Sequence, residues 1–131
     1  MYYSQQGFAG AAGRRYAAVH AGSRIESATP HGLVKILFDE LLLAMDASAL
    51  AQDQQDQAKA NDKHARAMAI VHALETSLDF ERGGDIAIGL AQIYREARRL
   101  MLLSVQNRTS AETRKARAIV GEIADAWAKI G

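Results

Sequence analysis

The sequence predicts an all-α fold, an antiparallel up-down four-helix bundle preceded by a mobile or short-helical N-terminal segment. Three observations predict it. Hydrophobic residues make up 49% of 131 residues, and many are Ala, the strongest helix former. The chain has one Pro, so long stretches are free of the residue that breaks helices. Four segments of about twenty residues each repeat their apolar positions at helical spacing. β-branched and aromatic residues are sparse, which leaves a sheet little to build with. The length suits one domain, 1–131, divided into an arm (1–28) and a bundle (29–131).

The arm opens as MYYSQQGFAGAAGRR, a Gly-, Ala-, Ser- and Gln-rich stretch expected to be mobile. Residues 16–28 are compatible with a short helix or an extended strap. The first helix has a clear start, because Thr29 can cap it and Pro30 takes the first helical position. It should run to about Gln52, with Leu33, Leu37, Leu41 and Met45 as its inner stripe, flanked by Val34, Phe38 and Leu42. After the polar segment 52–57, a second helix is expected from about Ala58 to Leu78, with Ala67, Ile70, Val71, Leu74 and Leu78 inward. The Gly83-Gly84 pair marks a turn. A third helix should span about Asp85 to Gln106, with Ile86, Leu90, Ile93, Ala97 and Leu100 inward and Tyr94 and Met101 beside them. Thr109 and Glu112 have capping-box spacing. The fourth helix then carries Ala116, Ile119, Val120, Ile123, Trp127 and Ile130 on one stripe, and this reading expects Trp127 to be largely buried.

Composition narrows the function classes. Sixteen basic against fifteen acidic side chains give a net charge of +1, with no global pull toward nucleic acid or an anionic surface. The absence of Cys removes thiolate metal sites and disulfides, and fits a reducing cytoplasm. No apolar run approaches the roughly 18 residues that would span a bilayer, so membrane insertion is not expected and the expected location is cytoplasmic. His20, His31, His64 and His72 include no pair at ligand spacing on one helix face, so neither a metal nor another cofactor is expected. The glycines of DFERGGDIAIG match no phosphate-binding fingerprint, and no strand precedes them. No nucleophile–base pair suggests an enzyme. Arg95, Arg98, Arg99, Arg108, Arg114, Lys115 and Arg117 are interspersed with glutamates and read first as a solvated face.

One feature goes beyond a bundle core. Ile36, Leu43 and Leu50 fall together on the first helix, seven residues apart and off its main stripe. Ile88 and Leu102 are similarly displaced on the third. Two readings stand: these positions fill seams of a tight bundle, or they form an exposed apolar groove for a partner's helices. On the second reading, Tyr16, Val19 and Ile25 of the arm are candidates to cover the groove. The candidate partner-binding residues are therefore Tyr16, Val19, Ile25, Ile36, Leu43, Leu50, Ile88 and Leu102.

Three stretches, ESATPHGLVKILFDELL (26–42), SLDFERGGDIAIGLAQIY (77–94) and EIADAWAKI (122–130), closely resemble the flagellar secretion chaperone FliS family. Tyr16 stands fourteen residues before Pro30, where the family places an N-terminal tyrosine. The resemblance covers about residues 14–130. It implies a cytosolic, non-enzymatic helical bundle that binds the disordered C-terminal region of flagellin, prevents premature polymerisation and assists delivery to the flagellar type III export gate. It implies no cofactor. Arg95-Glu96 departs from the acidic-aromatic pair usual after Tyr94 in the family, and Gly13 stands near a usual bulky aliphatic position. Oligomeric state, monomer or homodimer, is left open, as is the alternative of a generic helical adaptor bridging other proteins.

Overall fold

A computed structural model describes residues 29–130, so Tyr16, Val19 and Ile25 lie outside the described residues. Four helices follow one another: α1 (Pro30–Asp53), α2 (Gln57–Thr76), α3 (Phe80–Asn107) and α4 (Ala111–Lys129). Each junction is a loop of three residues, which leaves consecutive helices no room to do other than turn back on each other. α1 packs on α2 and α4, α3 packs on α4, and α2 meets α3 along the lightest seam. The helices thus form a ring in which α1 and α3 stand at diagonal corners.

Capping explains the boundaries. The Thr29 hydroxyl accepts from the Gly32 amide at 3.0 Å with Pro30 in the first turn, as the sequence predicts. Asp56 caps α2 by accepting from the Lys59 amide at 3.1 Å. Asp79 caps α3 by accepting from the amides of Glu81 and Arg82, each at 3.1 Å. The third helix therefore begins five residues before the predicted Asp85. The predicted glycine turn is nonetheless real. Gly84, with φ 50 and ψ −126, interrupts the helical backbone and separates the turn Phe80–Gly83 from the main body of α3.

The expected capping box on α4 does not form. Ser110, not Thr109, precedes the helix, and its hydroxyl is drawn to Asp53 of α1 at 2.6 Å instead of to its own helix. Glu112 accepts from Asn107 at 3.2 Å through one oxygen and leaves the other sealed without a partner.

The core joins Leu33, Leu37, Phe38, Leu41 and Met45 of α1 to Ala67, Ile70, Val71 and Leu74 of α2, with Tyr94, Ala97, Leu100, Met101, Ala116 and Val120 closing it. Two inner stripes differ at their ends from the sequence reading. Ile86 is 71% exposed and Ala87 takes the inward position, because the inner face of α3 is centred on Ala87, Tyr94 and Met101. Ile130 lies beyond the end of α4 and is exposed. Ion pairs cross three of the helix seams: Arg66–Glu40 between α2 and α1, Arg98–Glu75 between α3 and α2, and Arg114–Asp53 and Arg117–Asp46 between α4 and α1.

Candidate functional site

The predicted partner-binding positions divide by helix. On α1, Leu43 is 62% exposed and Leu50 is also exposed, but Ile36 is only 9% exposed and belongs to the core layer. The heptad spacing that places the three together is correct for the helix. The neighbours change along it, and only Ile36 is covered by the bundle. Leu43 borders a shallow depression with Glu40, Ala44, Ala47, Lys63 and Arg66 at the outer α1–α2 seam. On α3, Ile88 and Leu102 are exposed, and so is Val105, which the sequence reading missed. Val105 lies three residues past Leu102, and that helical spacing was the available signal.

These residues do not line one groove. α1 and α3 occupy opposite corners of the ring, so Leu43 and Leu50 form one apolar strip while α3 carries a second, broken one, in which the exposed Arg95 and Arg99 separate Ile88 from Leu102 and Val105.

A second apolar feature lies at one end of the bundle, a cleft of about 430 Å³. The start of α1, the end of α2, the first turns of α3 and Trp127 of α4 surround it. The backbone break at Gly84 lies beside it, and Leu78, Arg82, Gly83 and Ile86 around that break line the cleft. Trp127 forms a wall and is half-buried, not enclosed as its stripe predicts. Its ring stacks on His31 at 4.6 Å and meets Phe38 edge-on at 6.4 Å, and its Nε1–H donates to the His31 carbonyl at 3.0 Å.

Electrostatics are unremarkable for chemistry. Asp53 is held below the usual aspartate range by the Ser110 hydroxyl and then by Arg114. Burial pushes His64 toward the neutral form and Tyr94 toward the protonated phenol. Among the described residues, no three His, Asp or Glu side chains gather as a metal site, and no helix is long and apolar enough to cross a membrane.

The structure is thus a four-helix bundle that exposes apolar residues on α1 and α3. The family model described as flagellar protein FliS matches residues 12–131. The chain belongs to that family. It is 32% identical over 119 residues to the flagellar secretion chaperone FliS of Salmonella typhimurium, covering 89% of this chain and 87% of the relative. It is 33% identical over 114 residues to the Escherichia coli protein of the same description, covering 86% and 83%.

Proposed function

We propose that the protein is a cytoplasmic flagellin chaperone that binds the disordered C-terminal region of flagellin, prevents its premature polymerisation and assists its delivery to the flagellar type III export gate. Membership of the FliS family carries this reading. The two exposed apolar strips support it physically. A segment that is disordered when free gains affinity by laying apolar faces onto such strips, and its self-association then loses by competition.

Because the strips lie on diagonal helices, a client that covers both must pass around the bundle. A long, unstructured client can do this, whereas a compact globular one cannot. The arm, through Tyr16, Val19 and Ile25, shields apolar surface until the client displaces it, at some cost to client affinity. No catalytic step, cofactor, nucleic acid or membrane insertion enters this function. The working unit is a monomer or a homodimer.

Calorimetry with monomeric flagellin and with flagellin truncated at its C-terminus tests the proposal. Full-length flagellin should bind and the truncated form should not. Equal binding of both would attach the chaperone role to the wrong client region, and no binding of either would remove flagellin as the client.

A further inference from the structure

The end cleft contains a buried polar group that the bundle leaves unserved. Tyr94 is 2% exposed, lines the cleft, and its hydroxyl has no hydrogen-bond partner among the described residues. The hydroxyl is not sealed in the interior either, since the one sealed side-chain oxygen or nitrogen without a partner among the described residues is on Glu112. It therefore opens onto space, and the space that Tyr94 lines is the cleft.

Most other polar groups around the cleft are engaged, the His31 ring nitrogens excepted. Ser77 donates to the Leu74 carbonyl at 2.7 Å, Asp79 caps α3 and pairs with Arg82, and the Trp127 N–H is bound to the His31 carbonyl. The His31 ring stacks on Trp127. The remaining wall is hydrocarbon and aromatic, from Val34, Phe38, Leu74, Leu78 and Leu90. A largely apolar cavity of this size with a few polar groups, among them a buried and unpartnered hydroxyl, has the form of a small-molecule site. A phenolic hydroxyl both donates and accepts, so the matching ligand enters with a hydroxyl first and leaves its hydrocarbon against the walls.

We propose that the end cleft binds a small alkylphenol-type molecule, an aromatic body with a hydroxyl that pairs with the Tyr94 hydroxyl. A hydrocarbon of the same shape would cover Tyr94 without replacing the hydrogen bond it makes to water, and so would bind less well.

Trp127 is the chain's one tryptophan and lines the cleft, so its fluorescence reports occupancy. The test titrates the full chain with 4-propylphenol and with propylbenzene, which differ by one hydroxyl. The expected result is saturable binding of both, with the phenol about threefold tighter or more, the size of one modest net hydrogen bond. In Tyr94→Phe the order should reverse, because the ligand hydroxyl is then buried without a partner. Circular dichroism checks that this variant remains helical. Leu90→Phe, which narrows the cleft and keeps the Tyr94 hydroxyl, should weaken both ligands together and serves if Tyr94→Phe does not fold. The proposal is overturned if neither compound perturbs Trp127 saturably, if the hydrocarbon binds as well as the phenol, if Tyr94→Phe leaves their ratio unchanged, or if Leu90→Phe affects neither.

Discussion

At the scale of the residue, Ile36 and Leu43 show how one helical stripe serves two purposes. They are seven positions apart and chemically alike, yet Ile36 is covered by the bundle and Leu43 is exposed. Ile36→Ala should cost about 2–4 kcal/mol in denaturant unfolding, as for other buried aliphatic truncations. Leu43→Lys should stay within about 0.5 kcal/mol of the parent, as for an ordinary surface change. The same Leu43→Lys variant should bind flagellin at least about tenfold more weakly, or about 1.4 kcal/mol. Normal flagellin binding by a folded variant would exclude the α1 strip from the client site.

Trp127 makes a different kind of contribution. Its indole spans His31 and Phe38 and ties the end of α4 to the start of α1 through one hydrogen bond. Because the ring is half-buried, Trp127→Ala should fall near the low end for buried aromatics, about 2–3 kcal/mol. A loss below about 1 kcal/mol in urea unfolding would show that the α4 end frays without consequence.

At the scale of the element, α3 carries the least regular backbone. Gly84 has φ +50 and an open surrounding, so a Cβ there meets no neighbour but strains the backbone. Gly83 has the opposite problem, since an added Cβ would lie 2.8 Å from that of Ala87. Gly84→Ala should therefore destabilise by about 1–3 kcal/mol through backbone strain alone. Thermal melts of Gly84→Ala and Gly84→Asn check this, and both should fall, because φ 50 with ψ −126 lies far from the left-handed helical region that Asn tolerates. Equal melting of both variants and the parent would show that the kink is not held by its own backbone.

The loops at the other end of the bundle are joined by charge. Ser110 and Arg114 both converge on Asp53 of α1, and both hold its carboxyl in the ionised form. The folded-state value is depressed, so this contribution is present above the unfolded aspartate value and is lost as pH falls through the folded one. A carboxyl-resolved NMR titration should place the Asp53 midpoint below the ordinary 3.8, and Ser110→Ala should move it upward. A midpoint unmoved by that change would exclude the hydroxyl as the cause.

At the scale of the whole molecule, three-residue loops and ion pairs across three of the four seams define a ring with two separate apolar strips and one open end. The lightest seam, between α2 and α3, runs from that open end. Removal of residues 1–24 should raise hydrophobic-dye binding if the arm shields apolar surface, with helical content of the bundle unchanged. Unaltered dye fluorescence would argue that the arm covers nothing.

By itself the sequence determined the four helices, the Thr29-Pro30 start of α1, the glycine break and most of the core. Each rests on chemistry within a few residues: apolar spacing, cap geometry and the backbone freedom of glycine. Its motifs also carried the family. Tertiary structure alone decided that Ile36 is covered while Leu43 is not, that Ala87 replaces Ile86 at the inner face, and that Ser110, bonded to Asp53, precedes α4 in place of the expected Thr109–Glu112 box. It also separated the exposed apolar residues onto diagonal helices and opened the cleft that Tyr94 lines. Helical periodicity gives the direction of a side chain about its own axis, but burial depends on where the neighbouring axes lie, and that is fixed only when all four helices pack together.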